Sequence, residues 1–196
     1  MSESGRIELI IGCMWSGKSS EMLRQAKRYK SIGKNILVIN HNSDTRYGEN
    51  VVSTHDQNQL NCLSLTNLGH IRNTIEYKNC EIILIDEGQF FNDLYEFCVL
   101  ASDIDNKTII ISGLDGDSNR KPFGDILKLI PLSEKITKLN ALCQYCKDGT
   151  IASFTLRKTN NQETTLVGNE NIYSAVCRKH YNELNNNLDT NNMHYK

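Results

Sequence analysis

Three groups of residues in this 196-residue chain have the types and spacing that chemistry requires. The first is Gly12-Cys13-Met14-Trp15-Ser16-Gly17-Lys18-Ser19, which satisfies G-x-x-x-x-G-K-[ST] in full. In such a loop the backbone N–H groups converge on phosphate oxygens, and a helix beginning at its end adds partial positive charge. Lys18 is expected to reach the β- and γ-phosphates and Ser19 to ligate Mg²⁺. The second is Asp86-Glu87, directly after the apolar run Ile82–Ile85. A carboxylate at the C-terminal end of a parallel strand lies where α/β sheets bind ligands. Asp86 can hold Mg²⁺ directly or through water, and Glu87 can reach an oxygen nucleophile and take its proton. The third is Cys143-x2-Cys146, then 30 residues, then Cys177-x2-His180. Three thiolates and one imidazole suit tetrahedral Zn²⁺ and leave no coordination position open, so the metal is expected to be structural.

These groups need elements to hold them. Arg6–Gly12 (RIELIIG) reads as a buried strand into the first loop, and Ser19–Ile32 as a helix with the stripe Met22, Leu23, Ala26, Tyr29 and a stop at Gly33. Asn35–Asn40, Glu81–Asp86 and Lys107–Gly113 read as further strands; Leu68–Tyr77 and Asp93–Ala101 read as helices. Ser43–Gln59 is polar and irregular, a long loop of the kind that closes over ligands, and Arg46 within it could cover phosphates. Phe90-Phe91 are expected in the core, and Asn119–Pro122 forms a short basic surface turn. Alternating strands and helices argue an α/β parallel sheet flanked by helices. The texture changes near Asn140. The expected division is a nucleotide-binding domain over 1–139, a metal-pinned lobe over 140–184, and an Asn-rich disordered tail over 185–196.

Composition narrows the function classes. Lys plus Arg is 22 and Asp plus Glu is 23, a net charge of −1, without the basic excess of a duplex-binding protein; no nucleic-acid partner is expected. No apolar run approaches the roughly 18 residues that span a bilayer, and no membrane partner is expected. The start MSESGRIELIIG lacks the pattern of a secretory signal, and the seven cysteines are odd in number. Both point to a reducing, cytoplasmic setting rather than a disulfide framework. His41, His55, His70 and His194 have no spaced partners and receive no role. On the residues alone, Asp86-Glu87 serves a kinase, whose nucleophile is a substrate hydroxyl, or an ATPase, whose nucleophile is water. A nucleic-acid-stimulated ATPase with a zinc ribbon is opposed by the near-zero charge and short length. A non-catalytic zinc-ribbon module is opposed by the intact Lys18, Ser19, Asp86 and Glu87.

Several stretches together carry a more specific likeness. GCMWSGKS (Gly12–Ser19), DTRYG (Asp44–Gly48), THD (Thr54–Asp56), DEGQFF (Asp86–Phe91), LDGDSNRKPFG (Leu114–Gly124), PLSE (Pro131–Glu134) and the two Cys/His knuckles resemble the cytosolic, zinc-containing (type II) thymidine kinases of cells and large DNA viruses. The resemblance runs over about residues 6–182. It implies a RecA-like P-loop sheet with a small zinc-ribbon lobe and lasso loop. It implies ATP-dependent 5′-phosphorylation of thymidine and deoxyuridine, a homotetramer, and feedback inhibition by thymidine triphosphate. By the same likeness Glu87 is the general base, Asp86 the Mg²⁺-associated carboxylate, and Lys18 and Ser19 the phosphate and metal contacts. Asp44 and Arg46 fall in a loop that closes near the phosphates. Met14, Leu114, Thr155 and Tyr173 surround the thymine, Phe90 lies beside the nucleoside, and Gly168 belongs to the Leu166–Tyr173 lasso. The chain departs from the family pattern at four places. Cys13 replaces a proline, Trp15 a phenylalanine, and Ser118 an aromatic that bears on how tightly the nucleoside is held. His180 replaces a cysteine, which changes the charge of the metal site by about one unit.

Overall fold

Runs of Ile, Leu and Val form the strands, because branched side chains pack well on a pleated surface and sheet burial on both faces favours continuous apolar segments. The computed structural model describes residues 4–43, 51–53, 59–158 and 172–192, as backbone alone over 51–53, 59–60 and 186–192. In chain order the first part holds β1 (Arg6–Gly12), α1 (Lys18–Ser31), β2 (Ile36–His41), β3 (Val51–Ser53), β4 (Gln59–Asn61) and β5 (Leu63–Leu65). Then come α2 (Ile75–Asn79), β6 (Ile82–Ile85), α3 (Leu94–Val99), β7 (Thr108–Gly113) and β8 (Lys135–Leu139). The ribbon follows as β9 (Ala141–Leu142), β10 (Ile151–Ala152), β11 (Phe154–Arg157) and β12 (Tyr173–Val176), and α4 (Arg178–Asn192) ends the described chain.

The main sheet has six strands in the order β5-β2-β6-β7-β1-β8, and every pairing in it is parallel. Period-two alternation sends Leu9, Ile39, Ile83, Ile85, Ile109 and Ile111 to one face, where they meet Phe91, Leu94 and Phe97. Ile10, Val38, Leu84 and Ile110 point the other way, against Met22, Leu23 and Ala26 of α1. Each such fully buried side chain contributes about 1.5–3 kcal/mol. The chain turns after α1 where the N–H groups of Gly33 and Lys34 donate to the carbonyls of Lys30 and Tyr29, satisfying the last helical acceptors.

Five features differ from the sequence reading. The helix expected over Leu68–Tyr77 is a 3₁₀ turn (Gly69–Asn73) and then α2, because Thr74 is extended and its hydroxyl accepts from the Tyr77 N–H, starting a new helix. The helix from Asp93 ends at Val99 and widens into a π turn over Leu100–Ile104. The long polar loop contains an antiparallel pair, β3 with β4, in which Val52 lies opposite Leu60. β5 and β8 were unread as strands; both are edges, and no residue of KITKL in β8 is buried. α4 continues to Asn192, through a stretch whose low complexity led us to expect disorder from Asn185.

The loop after β7 folds back at Gly124, whose φ is +59° and whose hypothetical Cβ would lie 2.1 Å from the Gln89 carbonyl oxygen. Both facts demand glycine. Gly124→Ala is expected to destabilise the protein by about 2 kcal/mol or more, read as a lower urea midpoint with an unchanged slope. An unchanged midpoint would mean that this turn relaxes freely.

Candidate active site

The phosphate loop joins β1 to α1. At Gly12 any Cβ would lie 2.2 Å from the Leu139 carbonyl oxygen, so the loop leaves β1 pressed against the end of β8. Trp15 takes a left-handed backbone, φ 57°. Lys18 Nζ donates to the Cys13 carbonyl oxygen at 2.7 Å, and Ser16 Oγ donates to the same oxygen at 2.8 Å. The lysine is thus folded across the loop. Burial lowers its pKa, while the nearby negative charges, Glu87 foremost among them and then Asp86 and Asp115, favour the cation. The 14-residue α1 begins at Lys18 and directs its N-terminus at the loop.

Asp86 and Glu87 leave the end of β6. Asp86 is 4% exposed, and burial, reinforced by the Glu87 charge, raises its pKa to about 6. A divalent cation beside it would reverse that balance. Ser19 and a buried carboxylate are oxygen donors, the set that suits Mg²⁺. The Glu87 N–H donates to Asp86 Oδ1 at 3.0 Å. Glu87 itself is left-handed (φ 52°, ψ 39°), an uncommon geometry for a residue with a Cβ. Gln89, 3% exposed, donates from Nε2 to Glu87 Oε2 at 2.6 Å and accepts the Leu114 N–H on Oε1 at 2.9 Å. The sequence reading gave Gln89 no role; its position inside DEGQFF was the available signal. Phe90 is half-buried between His41 (5.5 Å) and Phe123 (5.4 Å), whereas Phe91 is core. His41 was also unassigned. Burial lowers its pKa, and its Nδ1 accepts the Ser43 N–H.

The ribbon reaches back to the phosphate loop. The Met14 N–H donates to Thr155 Oγ1 at 3.1 Å, and the Cys13 thiol contacts the Ala152 carbonyl oxygen at 3.4 Å. Cys13 and Trp15 pack into the ribbon core with Ala141, Ala152, Val176 and Tyr181. Tyr173 is buried, and its hydroxyl accepts from Arg157 Nη2 at 2.9 Å. The Lys158 N–H donates to the Ile172 carbonyl at 2.8 Å. Ser118 offers its carbonyl to the Tyr181 hydroxyl at 2.6 Å, and Arg120 stacks over the Tyr181 ring. The structure therefore brings together Gly12–Ser19, Asp86, Glu87 and Thr155, and links Leu114 to Glu87 through Gln89. Asp44, Arg46 and Gly168 lie outside the described residues.

Cys143, Cys146, Cys177 and His180 form the metal-binding cluster found among the described residues, their ligand atoms all within 4.8 Å of one another. Ideal tetrahedral Zn²⁺ places two sulfurs about 3.8 Å apart and a sulfur and a nitrogen about 3.5 Å apart, from bond lengths near 2.3 and 2.0 Å. The Cys146 and Cys177 sulfurs are 3.8 Å apart, and His180 Nδ1 lies 3.5, 3.4 and 3.4 Å from the sulfurs of Cys143, Cys146 and Cys177. The donor set and its spacing fit zinc, with His180 turned inward. Desolvation opposes the Cys143 thiolate, but N–H donors from Cys177, Cys146 and Tyr145 prevail and bring the thiol down to about 6.

Comparison with known proteins follows this geometry. A family profile described as thymidine kinase matches residues 5–181. The thymidine kinase of Sheeppox virus (strain KS-1) is 48% identical over 178 residues, 90% of this chain and 97% of that protein. Thymidine kinase a of Arabidopsis thaliana is 42% identical over 181 residues, 91% of this chain and 75% of that protein. The thymidine kinase of Oryza sativa subsp. japonica is 41% identical over 184 residues, covering 92% and 67%.

The cluster geometry predicts one Zn²⁺ per chain by elemental analysis. Loss of a supporting contact to a metal ligand alone costs 10–100-fold in affinity, so His180→Ala is expected to weaken zinc binding by about 100-fold or more. Competition with a chromophoric chelator measures this; full zinc retention in the variant would remove His180 from the ligand set.

Proposed function

The chain belongs to the thymidine kinase family, and from that membership we propose that it transfers the γ-phosphoryl group of ATP to the 5′-hydroxyl of thymidine, and of deoxyuridine, with Glu87 as the general base. Thymidine phosphorylation for nucleoside salvage is the activity of the chain. One observation carries the residue assignment. Glu87 follows the buried Asp86 at the strand end and its charge favours the Lys18 cation, which supports a proton acceptor near the lysine that would bind the terminal phosphate.

The chain's own groups divide the work. Loop N–H groups and Lys18 bind the β- and γ-phosphates. Ser19 and Asp86 are the residues to hold Mg²⁺, which when bound neutralises charge on the phosphate oxygens. Glu87 takes the hydroxyl proton as that oxygen attacks the γ-phosphorus in line. Met14, Leu114, Thr155 and Tyr173, with Phe90 and Gly168, form the nucleoside site, and Arg46 covers the phosphates. The contact of Met14 with Thr155 supports a shared wall between the phosphate loop and the nucleoside lobe. Zn²⁺ on Cys143, Cys146, Cys177 and His180 holds the ribbon. Residues 1–139 supply the nucleotide-binding part, 140–184 the ribbon and lasso, and 185–196 a tail.

The assembly we propose is a homotetramer, inhibited by thymidine triphosphate, in the cytoplasm. Self-association is supported by the exposed edge strand β8, where Ile136 is 43% exposed, and by Ile130 and Leu132 of the 3₁₀ turn before it, 40% and 37% exposed. No helix among the described residues is long and apolar enough to cross a membrane.

A panel of deoxynucleosides incubated with ATP-Mg²⁺ tests the activity; thymidine and deoxyuridine are expected to be phosphorylated well ahead of purine deoxynucleosides, and equal rates across the panel would refute the nucleoside assignment. Glu87→Gln keeps shape and hydrogen bonding but accepts no proton, so kcat should fall by about 10²–10⁴-fold, roughly 3–5 kcal/mol of barrier, with nearly unchanged dissociation constants. Retention of kcat within a few fold would exclude Glu87 as base. Lys18→Ala removes the nearest cation from the developing charge and should abolish measurable transfer; a near-normal rate would mean that the loop holds no phosphate.

A further inference from the structure

Gln89 lies two residues beyond the proposed base and carries no phosphate or nucleoside role in the reading above. It is 3% exposed, yet both ends of its amide are engaged within the site. Nε2 donates to Glu87 Oε2 at 2.6 Å, and Oε1 accepts from the Leu114 N–H at 2.9 Å. The 3₁₀ turn Gly88–Phe90 and the left-handed backbone at Glu87 fold the two side chains against each other. The surroundings leave room for nothing else. A Cβ at Gly113 would lie 2.5 Å from Gln89 Oε1, and one at Gly124 would lie 2.1 Å from the Gln89 carbonyl oxygen. The amide is therefore fixed at three points, its two polar ends and its backbone.

A glutamate carboxylate on three rotatable bonds presents either oxygen in many orientations, and a base must meet its proton within hydrogen-bond reach. Resting on the reading of Glu87 as base, we propose that Gln89 is the positioning residue of the phosphoryl-transfer site: its Nε2 holds Glu87 Oε2 and so sets the orientation of the carboxylate that takes the proton of the nucleoside hydroxyl. The attacking oxygen forms its bond to the γ-phosphorus and gives its proton to the Glu87 carboxylate. The bond from phosphorus to the bridging oxygen breaks, and its electron pair leaves with ADP. Gln89 neither gains nor loses a proton. An amide suits the place because one planar group must donate to the carboxylate and accept from Leu114, which no ionised acid or apolar side chain does.

The test is a double-mutant cycle on the full-length protein. Gln89→Met and Gln89→Glu are made in the parent and in Glu87→Gln, with kcat, dissociation constants for thymidine and ATP, and Tm measured for each. Misplacement of a catalytic group by about 1 Å costs on the order of 100-fold; Gln89→Met should lower kcat by about that factor and leave both dissociation constants within about twofold, the scatter of independent sites. In the Glu87→Gln background the same substitution should change kcat by no more than about twofold, because the group it holds is already inactive. Gln89→Glu preserves shape and the acceptor for Leu114 but, once ionised, sets an acceptor against Glu87, and at alkaline pH should show the same loss; it carries the test should Gln89→Met fail to fold. The proposal is overturned if either variant keeps parental kcat, or if the full loss persists in the Glu87→Gln background, which marks Gln89 as structural only. A Glu87→Gln variant that is itself fully active instead removes the base, a result separable from the other two.

Discussion

The chemistry of this protein depends on the parallel pairing of β7 with both β1 and β6. Ile11 lies opposite Gly113, and Ile85 lies opposite Ile111. In that register the phosphate loop, the Asp86-Glu87 turn and the loop beginning at Leu114 all leave the sheet from one edge. Asp86, the next residue after the last β6 pair, stands level with Ser112 of β7. A slip of one residue would turn Asp86 away from the crevice and send the core residues of β6 to the wrong face. The buried ladder of isoleucines makes such a slip costly, so packing remote from the chemistry holds the carboxylates in place.

Much of this was legible in the chain, for identifiable reasons. The strands at Arg6–Gly12, Ile82–Ile85 and Thr108–Gly113 are continuous apolar runs, and their boundaries fall within a residue or two of the reading. The phosphate loop and the Cys/His knuckles are local spacings, which sequence displays directly. Pairings between segments remote in sequence were hidden. Nothing in LDGDSNRKPFG indicates that the Leu114 N–H binds Gln89, or that Ser118 offers its carbonyl to Tyr181. The edge strands were missed because β5 has three residues and β8 is exposed, so neither shows the buried pattern that identifies a strand. The helix after Leu68 was overread because its apolar spacing conceals the break that the Thr74 side chain introduces.

The departures from the family pattern fit the packing around them. Cys13 is 2% exposed and its thiol reaches the Ala152 carbonyl, a contact that a proline ring has no hydrogen to make. Trp15 takes a left-handed backbone at the loop's edge and packs its ring against the ribbon. His180 fills its place through Nδ1, and the neutral imidazole lowers the negative charge that three thiolates would otherwise share with a fourth.

The shared packing of Cys13 and Trp15 with the ribbon also bears on where the molecule can be cut. The change of texture near Asn140 suggests a seam, but the seam does not run through solvent. A fragment ending at Leu139 would strip the cover from Cys13 and Trp15 in the phosphate loop and leave the Met14 amide without its threonine acceptor. The remaining piece, Asn140 onward, would lose the plug that fills its own interior beside Ala152 and Val176. Neither half is a self-sufficient building block, and transplanting the ribbon onto another nucleotide-binding scaffold would require carrying the loop sequence with it.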